Sequence, residues 1–545
     1  MFSKLLSHAV FRRSVSSLSL NTIPHIQAPS KDPLFPFTYT SGRWLHRDKE
    51  QRALRRVDFH FQELCNKVLS LCPEASRIIS YEKKEGGFNR VLVFLLGDGK
   101  RVVVRLPTRV AGPSALTTNS EVATIAYVKS HTTIPVPHIL AWSDDASNPI
   151  GSEYIIMRHV TGVPLRERWL TMYGSQYTKC VQSACTTMEQ LAALEFPAYG
   201  SIYFKNAPFD STLKVPLSEG FGIGPHCSTS YWDRSSSQTK KGLTVPAGSW
   251  KDLAAYASGL IANGHSKLPP TSSEIDSSRP SYFGTVKEHR NLLDSAHSIL
   301  QNLIAQPQIK NASVPTLLHA DLHTRNIYVS DEDPTLITFL IDWQSSSVEP
   351  AFIYANDVPD FAAPPEKSPV EADSSNEPPL SAQDIRMQKV ASYCNQAYEI
   401  CMQAFIPKMR VARSVDQLLI RPFQYSHTSW RDSATTVRQE FLDLAENWNT
   451  LDLVGKCPYS PTQTELEIHQ KDHKAFEHVQ DLKLMLINLL HTDSDGWVPI
   501  ERWEETRHAH KEILDLALET ARESEDESMT EKEVKELWPF DDCKS

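Results

Sequence analysis

Apolar residues recur with period two along two neighbouring stretches in the first third of the chain. They fall at Val91, Val93 and Leu95, and then at Val102, Val104 and Leu106. The segment 97–100, Gly-Asp-Gly-Lys, lies between the two stretches and favours a tight turn. We therefore predict a β-hairpin. The mostly apolar run at 153–157 predicts a further strand, which is buried and is followed by a turn at 158–162.

Further along the chain the apolar residues recur at intervals of three and four, which is typical of amphipathic helices. One such stripe comprises Val181, Ala184, Met188, Leu191 and Leu194. Helices are also predicted over 45–71, 119–130, 385–405, 435–451, 464–490 and 501–524. The order of these elements predicts an α/β (α+β) fold with a small β-sheet lobe over 72–160, a helical lobe over 161–545, and an extension with a helix over 39–71.

The densest group of chemically useful side chains lies at 319–326, His-Ala-Asp-Leu-His-Thr-Arg-Asn. Two short apolar runs follow it, at 327–329 and 336–341, and Asp-Glu-Asp-Pro separates them. Asp and Pro favour a turn, so we expect a hairpin. Such a hairpin would return Asp342, in the segment 341–344, to the neighbourhood of Asn326.

The spacing of these residues suits phosphoryl transfer. Asp321 and Asn326 are five positions apart, as are the Asp and Asn of the kinase catalytic loop. Asp321 is the candidate catalytic base for a hydroxyl, while Asn326 and Asp342 supply the hard oxygen ligands that Mg²⁺ prefers. Each piece alone reads equally as an exposed polar loop, but the order and spacing together favour a kinase-like site.

Residues 319–326 resemble the H-G-D-x-H-x-x-N signature of the aminoglycoside phosphotransferase and choline kinase superfamily, and Asp342-Trp343 is similar to its I-D-W-E segment. Three shorter segments, at 39–44, 85–89 and 221–225, are less specific, but together they resemble the fungal mitochondrial branch called altered inheritance of mitochondria protein 9. The resemblance runs from about Phe37 to about Trp497. It implies a bilobal protein-kinase-like fold that holds ATP and Mg²⁺ in the cleft between the lobes.

The chain departs from the superfamily pattern at several positions. Ala320 replaces the usual Gly before the catalytic Asp, and Gln344 replaces a common Glu. The kinase Lys on the third strand corresponds to Arg105, which keeps the charge and can bind phosphate through two N–H groups but has a different geometry. Glu121, near the start of the predicted helix, is placed to pair with Arg105, although a strand-end Arg and a helix-start Glu also occur without pairing.

Two further segments are expected to contact the nucleotide. The connection before the first predicted strand would cover the phosphates through Gly86, Gly87 and Asn89, although a glycine pair is also an ordinary turn. The connection between the lobes would offer backbone groups to adenine at Met157, His159 and Val160. His159 alone reads equally as a solvent-facing histidine.

The remaining polar residues of the loop are expected to support it. The i, i+4 spacing of His319 and His323 would suit a metal site on one helix face, but the motif implies a loop, and no further His or Cys group with ligand spacing lies nearby. We therefore expect both histidines to hold the loop through hydrogen bonds. Arg325 is placed either to contact phosphate or substrate or to remain a solvated cation.

Composition restricts the class of protein. The chain has 545 residues, of which 40% are hydrophobic, and a net charge of −10, which argues against nucleic acid as a partner. No apolar stretch reaches the ~20 residues that a membrane span needs. The nine cysteines form no C-x-x-C pair, so reduced thiols are expected rather than a disulfide framework or a zinc site.

The first thirty residues contain no Asp or Glu, but they contain Lys4, Arg12 and Arg13 in a Ser-rich segment. Leu5, Leu6, Val10 and Phe11 can share one face of a helix. This pattern predicts a mitochondrial presequence within 1–38 and a mature protein in the mitochondrion, in the matrix. The alternative is a disordered tail.

Two segments have a different composition from the rest. Residues 201–280 are rich in Gly, Ser and Pro and form a predicted insertion, in which Trp232 and Trp250 are expected to act as anchors. Residues 358–383 are rich in Pro and acidic residues and predict a mobile loop. The insertion would be placed to cover the acceptor site and the mobile loop to gate access to it, and the default alternative for 358–383 is an ordinary surface loop.

These features predict a mitochondrial kinase-like enzyme that transfers the γ-phosphate of ATP to the hydroxyl of a small molecule. An ATP-binding, non-catalytic scaffold or maintenance factor is the alternative, because Arg105 replaces Lys. Phosphorylation of proteins ranks third, since nothing resembles the A-P-E segment of protein kinases. The acceptor and the oligomeric state do not follow from the sequence.

Overall fold

The computed structural model describes residues 34–232, 247–269, 279–365, 381–523 and 530–541. Its strands are β1 (Gly42–Trp44), β2 (Ile78–Glu85), β3 (Asn89–Leu96), β4 (Arg101–Pro107), β5 (Ile139–Ser143), β6 (Tyr154–Arg158), β7 (Val163–Pro164), β8 (Ser201–Phe204), β9 (Val215–Ser218), β10 (Phe221–Gly224), β11 (Pro315–Leu317), β12 (Ile327–Val329), β13 (Ile337–Leu340), β14 (Val348–Pro350) and β15 (Trp497–Pro499).

Its helices are α1 (Asp48–Leu54), α2 (Phe61–Leu71), α3 (Leu116–His131), α4 (Leu165–Trp169), α5 (Gln176–Ala193), α6 (Leu253–Ser266), α7 (Val286–Leu303), α8 (Pro307–Ala312), α9 (Ala382–Phe405), α10 (Pro407–Arg413), α11 (Gln417–Tyr425), α12 (Ser429–Asp432), α13 (Ala434–Glu446), α14 (Gln463–Leu490), α15 (Trp503–Glu523) and α16 (Glu531–Leu537).

The small lobe is an antiparallel five-stranded sheet in the order β2-β3-β4-β6-β5. One face packs on α2, where Leu92, Phe94 and Val104 join a buried cluster with Leu64 and Val68. The opposite face packs on α3, through Val103, Ile155 and Met157 around Val122. Because helices cover both faces, β3 and β4 are apolar at nearly every position, and the predicted hairpin between them is present.

Three features of this lobe were not predicted. The polar strand β2 (Ile-Ile-Ser-Tyr-Glu-Lys-Lys-Glu) lies at the sheet edge, and β5 lies at the other edge. The predicted continuous helix over 45–71 is wrong, since α1 and α2 are separated at 55–60. There the chain is extended because Val57 and Phe59 enter the core and the Val57 amide bonds to the Phe37 carbonyl at 3.1 Å.

The large lobe is helical around two buried clusters. In one, α5 and α9 pack against the strands that carry the 319–326 loop, with Trp343 fully buried beneath it. In the other, α6, α7, α11 and α13 pack together. The three-stranded sheet β13-β12-β7 and the pair β11-β14 connect these helices to the loop. A sheet lobe above a helical lobe is the architecture that the sequence predicts.

The two irregular segments are more ordered than their composition suggests. The described part of 201–280 contains the sheet β8-β10-β9 and helix α6, and Trp250 packs on Tyr256 at a centroid distance of 5.2 Å. At 358–365 the chain packs against the loop 319–326, and Ser381 caps α9. The predictions for 1–33 and for the central part of the loop, 366–380, lie outside the described residues, as do 233–246 and 270–278 within the insertion.

The described ends of the chain meet beside the small lobe. Strand β1 pairs with β15 in the register Gly42 to Pro499 and Trp44 to Trp497. Helices α14 and α15 pack there around Leu486, Leu514 and Val498. In the residues that the structure describes, every helix is too short or too polar to traverse a lipid bilayer.

Candidate active site at the cleft between the lobes

The predicted hairpin after the loop 319–326 is present. Strands β12 and β13 pair antiparallel, with Ile327 opposite Leu340. The side chain of Asp333 accepts a hydrogen bond from the Thr335 amide at 2.9 Å, which closes the turn. At the open end, the Ile341 amide donates to the Asn326 carbonyl at 3.0 Å, so Asp342 begins directly beside Asn326.

Asp321 is the one carboxylate of the loop 319–326, and several donors surround it. Its Oδ2 accepts from the Asn326 amide nitrogen at 2.8 Å. One nitrogen of Arg325, Nη2, lies 2.7 Å from Oδ1 and 2.8 Å from Oδ2. His323 Nε2 lies 3.3 Å from Oδ1. The carboxylate is partly exposed toward the cleft, so a hydroxyl can reach it by taking the position of one of these donors.

Asn326 presents its amide in one orientation. Its nitrogen also donates to the Asp321 carbonyl, at 2.9 Å. With the nitrogen used twice, the amide oxygen is the atom left to act as a ligand. Asn326 is buried, which fixes this orientation.

Asp342 supplies the second oxygen ligand and has an unusual backbone conformation. Its φ of 64° lies in the left-handed region, which Asp tolerates better than most residues. Its side chain is 40% exposed, and Oδ1 accepts from Arg105 Nη2 at 2.7 Å. Two hard oxygen donors on adjacent strands fit a divalent cation such as Mg²⁺, with phosphates and water completing its coordination.

Arg105 lies at the centre of the contact between the lobes. Its guanidinium forms the predicted ion pair with Glu121 of α3 and also donates to the Gln344 side chain and to Asp342. Burial alone would lower the pKa of Arg105, but the charges of Glu121 and Asp342 raise it, so the guanidinium stays charged. Burial raises the pKa of Glu121 to about 7, against the opposite effect of Arg105.

Gln344 connects the two lobes in a way that the sequence did not reveal. Its Nε2 donates to the Ala111 carbonyl at 2.9 Å, which leaves Oε1 as an acceptor. The Asn89 side-chain amide lies 2.6 Å from that Oε1, and with its oxygen turned toward Arg105 it accepts from Arg105 Nη2 at 2.7 Å. Asn89 therefore joins the base of the glycine turn to the segment that carries Asp342, and its predicted contact with nucleotide stays a prediction.

His319 fixes the loop as a neutral imidazole. Its Nδ1 accepts from the Asp321 amide at 3.1 Å, so the proton lies on Nε2, which donates to the Ile341 carbonyl at 3.0 Å. Burial lowers the pKa of His319, which favours this neutral form. The hydrogen bonds that the sequence predicts for His319 are therefore present, and they connect the loop to the strand that ends at Asp342.

His323 supports the loop from the other side, together with a residue that sequence reasoning missed. Its Nδ1 accepts from the Asp360 amide at 3.1 Å, and the Asp360 carboxylate accepts from the Thr324 amide and hydroxyl at 2.9 and 2.6 Å. Asp360 lies within the predicted mobile loop, where nothing in the local pattern distinguishes it. Arg325 is 57% exposed and contacts Asp321, so in this structure it is a partner of the candidate base.

The glycine turn connects β2 to β3 at the mouth of the cleft. Within the described part of the chain, no other atom lies within 4 Å of a Cβ built on Gly87, and the corresponding position on Gly86 meets only the Asn89 carbonyl, at 4.0 Å. The turn is therefore open to a ligand. Its contact with phosphate stays a prediction.

The connection between the lobes follows β6. Met157 is buried in that strand opposite Val103, and the His159 ring nitrogen Nδ1 lies 2.8 Å from the Val160 carbonyl. Burial lowers the pKa of His159. The contacts predicted between these three residues and adenine stay a prediction.

A cavity of about 350 Å³ lies beside the loop 319–326, and Asp342 is not among its lining residues. Ala320 and His323 line one wall, and Tyr354, Asp357 and Pro359 line another. Among the residues that the structure describes, no group of three or more His, Cys, Asp or Glu side chains has the geometry of a metal site.

No family model matches the chain. A subtelomeric hrmA-associated cluster protein of Aspergillus fumigatus is 30% identical over 316 residues, which are 52% of this chain and 60% of that protein. Proteins named altered inheritance of mitochondria protein 9, mitochondrial, are 22% identical over 87% of this chain and 89% of the protein in Lachancea thermotolerans, and 21% identical over 88% and 86% in Yarrowia lipolytica. The chain thus spans about three fifths of the Aspergillus relative and most of the two yeast relatives.

Solved structures that resemble the chain are aminoglycoside phosphotransferases. The ADP-bound APH(2'')-Ib is 12% identical, covers 69% of this chain and 98% of its own, and has a TM-score of 0.33. APH(4)-Ia in a ternary complex with ADP and hygromycin B is 14% identical, with coverages of 69% and 98% and a TM-score of 0.32. The predicted resemblance to the fungal proteins named altered inheritance of mitochondria protein 9 is confirmed by these relatives.

Proposed function

We propose that this protein is a mitochondrial kinase-like phosphotransferase that transfers the γ-phosphate of ATP to a hydroxyl of a small molecule. The observation that carries the proposal is the hydrogen bond from the Ile341 amide to the Asn326 carbonyl, which holds Asp342 beside Asn326 and Asp321. A base and two oxygen ligands within one hairpin are the parts that phosphoryl transfer requires from a protein.

In this proposal Asp321 accepts a hydrogen bond from the acceptor hydroxyl and orients its oxygen toward the γ-phosphorus. The new oxygen–phosphorus bond forms as the bond to the ADP oxygen breaks, and the hydroxyl proton passes to Asp321. Asn326 and Asp342 would hold Mg²⁺, which when bound neutralises charge on the phosphates. Arg105 lies 2.7 Å from Asp342 and would contact phosphate from the same position.

The mitochondrial part of the proposal draws on the basic first thirty residues and on the names of the yeast relatives. A small-molecule acceptor is preferred to a protein because nothing in the sequence resembles the A-P-E segment that docks a peptide substrate in protein kinases.

A second candidate function is ATP binding without transfer. It is favoured by the contact of Arg325 with both oxygens of Asp321, because Arg325 would have to leave before a hydroxyl could use this base. In that case the nucleotide would stabilise a scaffold, and Arg325 would remain on Asp321 when ATP is bound.

An experiment with Asp321→Asn separates the two functions. We expect the wild-type protein to bind ATP with Mg²⁺ in a thermal-shift titration and to transfer γ-phosphate from labelled ATP to a metabolite pool. Asp321→Asn should lower the transfer rate by about 10²–10⁴-fold and leave the nucleotide affinity nearly unchanged. The matched control is Asp331→Asn, an exposed carboxylate in the turn of the same hairpin. Equal, measurable transfer by the wild type and Asp321→Asn would refute the role of the base, and ATP binding by the wild type without any transfer would support the scaffold.

A further inference from the structure

A buried carboxylate lies at the base of the glycine turn. Glu85 is the last residue of β2, directly before Gly86, and its side chain is 1% exposed. Its Oε2 accepts from the amide and the hydroxyl of Thr40, at 2.7 and 3.1 Å, and from the amide and the hydroxyl of Ser41, both at 2.9 Å. Four donors from a distant segment therefore converge on one oxygen.

Two buried cations compensate the charge of this carboxylate. Arg90 Nη2 lies 2.8 Å from Glu85 Oε1, and Lys83 Nζ lies 3.2 Å from it. Lys83 also donates to the Thr40 hydroxyl at 2.7 Å. Glu85 and Arg90 face each other across the hairpin, so Glu85 links the segment at Thr40 to β2 directly and to β3 through Arg90. Charged groups this deeply buried are costly unless they are paired, so their geometry is well determined.

The turn itself has few contacts of its own. Phe88 at its tip is 42% exposed, and the positions around Gly86 and Gly87 are open. Two hydrogen bonds hold the Phe88 end of the turn: the Thr108 amide and hydroxyl donate to the Phe88 carbonyl, at 2.9 and 2.8 Å. At the other end the turn is fixed by Glu85. The conformation of the turn therefore depends on what holds Glu85.

The segment Tyr39–Trp44 is in turn held by the far end of the chain. Strand β1 pairs with β15, and the Trp497 indole donates to the Tyr39 hydroxyl at 3.0 Å. The Trp44 indole donates to Asp495 at 3.0 Å. A Cβ on Gly42 would lie 2.3 Å from the Trp497 indole nitrogen, so only glycine permits this approach.

We propose that the segment Tyr39–Trp44 is a positioning element for the glycine turn, and that Glu85 transmits its position to the turn and so sets the affinity for nucleotide. The proposal rests on the proposed function, because it assigns a phosphate-binding role to the turn. Residues next to β15 would then influence nucleotide binding although they lie outside the cleft. Glu85 acts through the turn and is a positioning residue, not a catalytic one.

The test uses the full chain and the isosteric variant Thr40→Val, with Thr40→Ser as the variant that restores the hydroxyl. Glu85→Gln is the stronger perturbation. Glu82→Gln is the matched control, because it removes an exposed carboxylate from the same strand. Hydrogen exchange of the amides at 86–90 is measured without nucleotide, and KM for ATP and kcat are measured separately.

In Thr40→Val, we expect the backbone amides at 86–90 to exchange faster than in the wild type. KM for ATP should rise by about three- to tenfold, because a less ordered turn must be ordered on binding. The change in kcat should be less than about twofold. Thr40→Ser and Glu82→Gln should match the wild type. The proposal is overturned if both Thr40→Val and Glu85→Gln leave the amide exchange at 86–90 and KM for ATP unchanged. It is also overturned if amide exchange becomes faster over the whole chain, which indicates general destabilisation. A wild-type protein that does not bind ATP refutes the proposed function, and the exchange at 86–90 then decides alone whether the segment holds the turn.

Discussion

The ion pair between Arg105 and Glu121 allows a quantitative test of how the lobes are joined. Arg105→Met keeps most of the volume of the side chain but leaves Glu121 buried beside an apolar group. Breaking a buried ion pair by removing one partner costs about 3–5 kcal/mol of unfolding free energy. Glu121→Met should cost less, about 1–3 kcal/mol, because Arg105 keeps Asp342 at 2.7 Å as a second counterion.

The double variant isolates the interaction itself. With both residues replaced by Met, no uncompensated charge remains buried at this position, so the cost should fall below the sum of the single costs by about 2 kcal/mol or more. Urea unfolding followed by tryptophan fluorescence and by circular dichroism measures each cost, and agreement of the two probes shows whether one transition describes both lobes. Single costs that add to within about 0.5 kcal/mol would refute the buried pair.

The pH dependence gives an independent check on the same pair. Burial raises the pKa of Glu121 above its unfolded value, so the contribution of this residue to stability is present below the unfolded pKa and is lost as the pH rises through the folded pKa, about 7. Without the guanidinium, which lowers that pKa, the loss continues to higher pH. The cost of Arg105→Met should therefore be larger at pH 8.5 than at pH 6.5, and a constant cost would contradict this account.

Two further predictions test other parts of the fold. Burial lowers the pKa of His289 to about 4. The contribution of this residue to stability is therefore present above the unfolded pKa of about 6.5 and is lost as the pH falls toward the folded pKa. The difference in unfolding free energy between wild type and His289→Gln should shrink by about 2 kcal/mol from pH 7.5 to pH 5. Gly162 has a φ of 88°, and a Cβ there would lie 2.3 Å from the Val329 carbonyl. Gly99 has a similar φ of 81°, but no atom of the described residues lies within 4 Å of its Cβ position. Gly162→Ala should therefore lower the melting temperature by more than Gly99→Ala. Equal melting temperatures for the two alanine variants would show that the contact with β12 is not important.

The hairpin that carries the candidate site was predictable because its determinants are local. The apolar runs of β12 and β13 and the turn around Asp333 lie within a few residues of each other, so period and turn chemistry decide the structure. The same reasoning located the hairpin β3–β4 and the long helices α9, α13, α14 and α15 to within a few residues. Propensity and pattern agree in these elements, and distant contacts change little.

The parts that the sequence did not reveal depend on distant contacts. Strand β2 is polar because it is an edge strand, and its pairing with β3 together with the bonds to Glu85 holds it in the sheet. Residues 55–60 interrupt a helical pattern because Val57 and Phe59 are more stable in the core. Asp360 and Gln344 became visible as parts of the site only when their partners, Thr324 and Asn89, were brought beside them.

The distribution of charge at the site bears on whether catalysis or binding is its function. Each of the two carboxylates, Asp321 and Asp342, is in contact with a guanidinium, but the two arginines differ in burial. Arg325 is mostly exposed, so its contact with Asp321 is screened by water and is worth about 1 kcal/mol or less, which an acceptor hydroxyl can replace at little cost. Arg105 is buried between Glu121 and Gln344, and moving it would leave the buried Glu121 carboxylate without its cation. The contact at the proposed base Asp321 is therefore the weaker one, and the contact at Asp342 is the stronger one, which agrees with the proposed phosphoryl transfer.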